Sequence, residues 1–192
     1  MAFPAFVIRR VLESHLHWFA EEAIKSLPTP ENKVVIVIGD AAFAAKDNMK
    51  LIQARDKDES HRRWGFVFAI ARIWNMAYGK SLRNLVKHTP HSCYRQTWIP
   101  RLPDHKGRKT FWISEKLTSL KHLGDVTVVL NKKGRNVGPQ NTKLLVTNLL
   151  ELTGRQVIDI YQRRWAIEIL FKELKSGLGL GEHVLHELLP TS

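Results

Sequence analysis

Cysteine, acidic charge and long apolar runs are all scarce in this sequence, and each shortage excludes a class of protein. The 192 residues contain one cysteine, Cys93, so an internal disulfide is excluded and a reducing compartment such as the cytoplasm is expected. No apolar run approaches the ~20 residues of a membrane-spanning helix, so no membrane partner is predicted. No glycine-rich phosphate loop or dinucleotide-binding pattern occurs, so no nucleotide cofactor is predicted.

The shortage of acidic residues leaves the chain strongly basic. Its 30 Lys and Arg residues outnumber 18 Asp and Glu residues, for a net charge of +12. The cations are spread along the chain and do not form a detachable tail, which favours a nucleic-acid partner. A basic surface that only keeps the protein soluble is the alternative. The hydrophobic share of 44% and the length are sufficient for a globular core.

The first two elements have contrasting patterns. Apolar residues recur at spacings of three and four through residues 5–26, which predicts an amphipathic helix. Residues 33–40 (KVVIVIGD) instead contain five consecutive β-branched residues, typical of a strand buried on both faces in the middle of a sheet. Asp40 follows this strand, at the end where open α/β sheets carry their chemistry. It is either a cap for the following segment or a catalytic carboxylate.

The middle of the chain is rich in short β-prone runs. A short helix is predicted within 49–54 and a second, largely buried strand within 64–74. Beyond residue 75, turn residues separate the runs, which predicts a small antiparallel insertion with strands at 94–99, 109–117, 125–130 and 144–147. We therefore predict three parts: a partial core at 1–74, the β insertion at 75–148, and the rest of the core at 149–192.

A basic turn lies within the predicted insertion. It carries Lys132, Lys133 and Arg135, and glycine and asparagine residues surround them. We predict a mobile hairpin tip here. Its cations either contact DNA phosphate or belong to an ordinary solvated turn.

The last long segment predicts one helix with a polar stripe. At 3.6 residues per turn, Tyr161, Arg164, Glu168 and Lys175 fall along one side of the helix. The stripe borders the apolar side and does not lie opposite it. A carboxylate and cations at the border of a buried face indicate a surface that binds or reacts with something.

The start and end of this helix are also marked in the sequence. Thr153, followed three residues later by Gln156, fits a capping box, so the helix is predicted to begin at Gly154. A glycine-rich segment from Gly177 is predicted to end it. The stripe would then belong to a single continuous helix.

Asp40 and Glu168 together point to metal-dependent phosphodiester chemistry. Two carboxylates that converge can hold two divalent metals ~3.5–4 Å apart, one for the attacking oxygen and one for the leaving oxygen. Mg²⁺ suits such a site because it accepts few protein carboxylates and keeps room for water and phosphate.

These residues resemble a known family, the DDE transposases of bacterial insertion sequences. The spacing of Tyr161, Arg164, Glu168 and Lys175 fits the Y-(2)-R-(3)-E-(6)-K signature of one group in that family. The segment GDAAF around Asp40 resembles the family's second catalytic aspartate and its neighbours. The likeness extends over roughly residues 30–181.

The resemblance implies a fold, a reaction and roles for these residues. The fold would be ribonuclease H-like, an α/β fold with a mixed sheet flanked by helices and interrupted by an antiparallel β insertion. Asp40 and Glu168 would ligate Mg²⁺, and Tyr161, Arg164 and Lys175 would contact double-stranded DNA at the transposon end. The reaction would be Mg²⁺-dependent nicking and strand transfer.

The sequence departs from the family pattern in one respect: no aspartate precedes Asp40. A DDE site needs a further aspartate on an earlier strand, so we expect a truncated transposase whose first strands are missing. This polypeptide alone would then be inactive, and the edge of its apolar strand would be open to another chain. Expected partners are a second copy or full-length transposase. A non-catalytic DNA-binding inhibitor and a nuclease of the same fold are the alternatives.

Two smaller features leave alternatives open. In this family a tryptophan from the insertion can stack on a flipped base, and Trp98 and Trp112 are candidates, although sheet packing is the simpler explanation of each. The group His88, His91, Cys93 and His105 matches no closed zinc site in its spacing, so zinc is not predicted.

Overall fold

The structure, a computed structural model, describes residues 21–28, 33–58, 63–100 and 108–178. Most of the helix predicted at 5–26 lies outside the described residues. The strands are β1 (Val34–Gly39), β2 (Arg63–Ala69), β3 (Arg95–Pro100), β4 (Arg108–Leu120), β5 (Gly124–Lys132) and β6 (Lys143–Thr147). The helices are α1 (residues 21–26), α2 (Lys46–Asp58), α3 (Leu82–His88), α4 (Gly154–Gln162) and α5 (Arg164–Leu178).

One mixed sheet contains all six of these strands, in the order β1-β2-β6-β5-β4-β3. The first two strands are parallel, and every other neighbouring pair is antiparallel. Helices flank the sheet, so the predicted fold class, a mixed α/β sheet of the ribonuclease H-like kind, is confirmed. Each predicted strand overlaps an observed one, but β2 ends at Ala69, five residues before the predicted end at Trp74, and β4 and β5 are longer than their apolar runs.

The strands predicted as an insertion continue the same sheet. β6 pairs with β2 through Val67 and Thr147, Phe68 and Val146, and Ala69 and Leu145, and β5, β4 and β3 follow outward from it. Asn148 reinforces this junction: its side-chain oxygen accepts the N–H of Phe66 at 2.9 Å, and its amide donates to the carbonyl of Trp64 at 3.3 Å. The division at residues 75 and 148 remains a prediction.

β1 is at one end of the sheet, and the prediction that it is a middle strand was wrong for the part of the chain described here. It pairs only with β2 among these strands. Val34 is 50% exposed and the next four residues are half-buried, although β2 has an equally apolar sequence and is almost fully buried. The composition of a strand indicates what it can bury, but not which neighbours it has.

Apolar side chains cover both faces of the sheet. One face packs against α2 and α3 through a large core that includes Phe66, Phe68 and Leu130. On the other face, Val157 and Ile158 of α4 pack against Val67, Val129 and Leu145 of the sheet. Helix α3 was not predicted from the sequence.

Arg55 joins α1 to the rest of the fold. Its guanidinium stacks on Trp64 at 4.0 Å from the ring centroid and donates to the carbonyls of Lys25 at 3.0 Å and Leu27 at 3.1 Å. These bonds satisfy carbonyl groups at the end of α1 that have no partner within the helix. None of the helices in the described part is long and apolar enough to cross a membrane.

Candidate functional site

Asp40 is positioned by the turn that follows β1. Its Oδ1 accepts the N–H of Ala42 at 2.9 Å, and its backbone carbonyl accepts the N–H of Phe43 at 3.2 Å. Gly39 is required just before it, because a Cβ there would lie 2.3 Å from a ring carbon of Phe68. Asp40 thus stabilises a turn and does not cap a helix, since α2 begins only at Lys46, and its Oδ2 has no hydrogen bond among the described residues and can bind a ligand.

Strand directions place a basic segment at the same end of the sheet as Asp40. β1 and β2 run toward this end, β6 starts there and β5 finishes there. The segment that connects β5 to β6 therefore lies at this end, between two and three strands away from Asp40, or about 10–14 Å at the usual strand spacing. Residues 130–145 contain four cations and no acidic residue.

Lys132 is not part of a mobile tip, which corrects one element of the predicted basic hairpin. It is the last residue of β5 and is 4% exposed. Strand alternation turns it to the same face as Val128 and Leu130, and its ammonium lies 4.1 Å from the ring centroid of Tyr94. Burial lowers the pKa of Lys132.

The exposed cations of this segment are Lys133 and Arg135, and Lys143 lies beyond them at the start of β6. The guanidinium of Arg135 is 5.7 Å from the ring centroid of Trp112, a half-buried side chain, so this arginine is partly held in place. Lys143 was missed in the sequence because only the pairing of β5 with β6 shows that it shares this end of the sheet.

Trp98 differs from Trp112 in its exposure. Trp98 lies on β3, the strand at the opposite edge of the sheet from β1, and its exposed fraction is 53%. Sheet packing therefore accounts for Trp112 but not for Trp98.

A second group of cations surrounds His122 in the turn between β4 and β5. The pKa of His122 is lowered by burial and by the nearby charges of Lys46, Lys121 and Lys50. This group is a rival surface for an anionic partner.

The predicted signature helix is in fact two helices. The capping box at its start is confirmed: Thr153 Oγ1 accepts the N–H of Gln156, and the Gln156 side chain accepts the N–H of Thr153. The helix is interrupted at Arg163, where the N–H groups of Arg163 and Ala166 bond three residues back instead of four. α5 then continues to Leu178, close to the predicted end.

Three of the four stripe residues do come together. The Arg164 guanidinium lies 5.5 Å from the ring centroid of Tyr161, and its Nη1 donates to Oε1 of Glu168 in a short ion pair. Burial alone would lower the pKa of Arg164, but its contacts with Tyr161 and Glu168 raise it overall. The side chain of Lys175 lies outside the described residues.

The apolar side of α5 is not buried by the described part of the chain. Ile160 of α4 packs against the sheet core, whereas Ile167 is 51% exposed and Leu170 is 52% exposed. The stripe was expected to border a buried face along the whole helix, and this expectation is wrong at Ile167 and Leu170. The interruption at Arg163 marks the point at which the helix stops packing on the sheet.

The donor groups fit a metal only in part. No hydrogen bond or ion pair between described residues links Asp40 to Tyr161, Arg164 or Glu168, and no three His, Cys, Asp or Glu side chains among those residues group closely enough to hold a metal ion. Asp40 and Glu168 each already have a protein partner.

Comparison with known proteins gives one result. A family model described as "Transposase DDE domain" matches residues 17–188, which is most of the chain. The matched range contains Asp40, Glu168 and every strand of the sheet. No match was found among curated proteins.

The burial of Lys132 predicts how stability changes with pH. Because its pKa is lowered in the folded protein, the unfolded chain binds this proton more tightly, and the free energy of unfolding should rise as the pH approaches 10.5. Lys132→Met removes that term, so the free energy of unfolding of the variant relative to the wild type should be highest near pH 7.5 and should fall by pH 10.

Urea unfolding at the two pH values checks this, with Lys133→Met as the matched control at an exposed neighbour. A stability difference between wild type and Lys132→Met that is the same at both pH values would contradict the assignment.

Proposed function

Because the chain belongs to the family of transposase DDE domains, we propose that it binds double-stranded DNA of transposon ends in the bacterial cytoplasm. Within the family we place it in the YREK-signature group, on the spacing of Tyr161, Arg164, Glu168 and Lys175. The observation that carries the proposal is the row of exposed cations at the sheet end that also carries Asp40.

Phosphate contacts are the function that this row supports best. Lys133 and Lys143 are exposed, have no acidic neighbour in the segment 130–145, and lie three and two strands from Asp40 across the sheet, or about 14 Å and about 10 Å. A row of this kind can follow one DNA strand, since phosphate contacts position a duplex without reading its sequence. Lys132 is left out of this surface because it is buried under Tyr94.

The stripe on α4 and α5 supplies a second contact. The ion pair joins the half-buried Arg164 to the exposed Glu168, and a phosphate binds a guanidinium through the same charge-assisted hydrogen bonds, so a phosphate can compete with Glu168 for Arg164. A DNA phosphate bound there would leave the Glu168 carboxylate without its partner. Tyr161 and Lys175 are proposed to contact the same DNA.

Asp40 and Glu168 are proposed as the Mg²⁺ ligands of a complete active site. Mg²⁺ would supply charge stabilisation for phosphodiester cleavage there. The free oxygen of Asp40 is available for this, and Glu168 becomes available once Arg164 is taken by phosphate. Two carboxylates are too few ligands for two metal ions. We therefore propose that this polypeptide alone does not cleave DNA.

A chain that binds DNA without cleaving it would act as an inhibitor of intact transposase. It could do so by occupying transposon ends or by pairing with the full-length protein. The exposed Trp98 suits stacking on an unpaired base, which would strengthen binding to distorted ends.

Removal of the two exposed lysines should weaken DNA binding in a salt-dependent way. For Lys133→Gln/Lys143→Gln, the slope of log K against log salt should fall by about 0.9 for each lysine that contacts phosphate. Fluorescence anisotropy with a labelled duplex, measured over a range of salt concentrations, gives the slope.

The matched control is Lys50→Gln/Lys121→Gln, which removes the same charge from two exposed positions near His122. An equal or larger loss of slope in this control would assign DNA to that surface instead.

Catalytic inactivity is tested on supercoiled plasmid with Mg²⁺. We expect no nicking above background from the wild-type chain, while the same preparation still binds DNA. Mg²⁺-dependent nicking that Asp40→Ala or Glu168→Ala abolishes would show that the site is complete enough to react.

A further inference from the structure

The chain that follows β2 stays beside β6 beyond the last paired residues of the two strands. The N–H of Ile70 donates to the carbonyl of Leu144 at 3.1 Å, which continues the backbone pairing by one step. The side chain of Arg72 then takes over this contact. Its Nη2 donates to the carbonyl of Thr142 at 2.7 Å and also to the carbonyl of Gln140.

These two carbonyl groups belong to the turn that leads into β6. The turn (Pro139–Asn141) is exposed along its whole length, and two internal hydrogen bonds of 3.1 Å close it. It forms the end of the β5–β6 connection (residues 133–142), directly before Lys143. Because the turn itself buries no apolar side chain, its position depends on hydrogen bonds to the rest of the fold.

Arg72 has the geometry of a side chain that holds this turn. It is half-buried, and each of the two N–H bonds of its Nη2 has a backbone carbonyl as acceptor. Since β2 lies between β1 and β6, Arg72 lies between Asp40 and Lys143 at this end of the sheet. No acidic side chain of the described residues forms an ion pair with it.

We propose that Arg72 is a positioning residue for DNA, which fixes the β5–β6 connection so that Lys133 and Lys143 are held ready for phosphate. The inference rests on the proposed function, because it acts through the phosphate contacts of these two lysines. Cations fixed before binding have less freedom to lose when DNA arrives, so the complex is tighter. Arg135, 5.7 Å from the ring centroid of Trp112, steadies the first part of the same connection.

Amide hydrogen exchange of the free chain tests whether Arg72 holds the turn. Arg72→Lys keeps the charge but loses the planar pair of N–H groups, so the amides of Asn141 and Thr142 should exchange about tenfold faster. Residues 121–124, at the opposite end of the sheet, should be unchanged, which shows that the fold is intact. The matched control is Arg83→Lys, at an exposed arginine of α3, which should leave Asn141 and Thr142 unchanged.

A double-mutant cycle tests whether Arg72 acts through the two lysines. With a labelled duplex and fluorescence anisotropy, Arg72→Lys should raise the Kd for DNA about fivefold, and Arg83→Lys should not. In the Lys133→Gln/Lys143→Gln background, Arg72→Lys should have little further effect, since the groups that it positions are absent. An equal rise in both backgrounds would mean that Arg72 contacts DNA itself, and would overturn the proposal.

The lysine variant separates the two ways in which this proposal can fail. If Lys133→Gln/Lys143→Gln binds DNA as tightly as the wild type, the proposed function fails and the role of Arg72 fails with it. If the lysine variant binds weakly but Arg72→Lys binds as the wild type does, only the role of Arg72 is overturned. Unchanged exchange at Asn141 and Thr142 in Arg72→Lys would overturn that role without any measurement on DNA.

Discussion

The pairing of β2 with β6 holds the two halves of the chain in one sheet. β2 pairs parallel with β1. After β3, β4 and β5, the chain returns as β6, which pairs antiparallel with β2. Asn148 adds two side-chain hydrogen bonds at the end of this pairing, where it satisfies the backbone of β2 beyond the last residue of β6. Without this junction, Asp40 and the basic segment between β5 and β6 would belong to separate pieces.

This junction explains how a basic surface and a carboxylate come to share one end of the sheet. β6 reverses direction relative to β2, and β5 reverses it again, so the end of β5 returns to the end of β1. Lys133 and Lys143 flank the connection there, at the place where open sheets present their ligands. The fold therefore brings Lys133 and Lys143 to the same end of the sheet as Asp40, although both lysines follow Asp40 by more than 90 residues in the sequence.

Local patterns in the sequence predicted where helices and strands lie better than they predicted which elements pack beside one another. The capping box at Thr153 specified the start of α4, because cap and partner are only three residues apart. The apolar run at Val34 identified a strand but not its place at the end of the sheet, since strand order depends on pairing partners distant in sequence. Lys132 was assigned to a turn because β5 extends beyond its apolar run, and alternation then places this lysine on the core side.

In the candidate site, too, contacts between residues close in sequence were predictable and features that depend on tertiary packing were not. The spacing of Tyr161, Arg164 and Glu168 predicted their contact, since residues three and four apart on a helix are neighbours. The interruption at Arg163 and the exposure of Ile167 could not be predicted, because both depend on where the helix leaves the sheet.

The account rests on DNA binding at the sheet end that carries Asp40, and hydrogen exchange with and without a DNA duplex tests it most directly. It predicts slower exchange in residues 40–43 and 133–138 when DNA is bound, with residues 121–124 at the opposite end of β4 and β5 unchanged. Slower exchange at 121–124, with no change in residues 133–138, would contradict it.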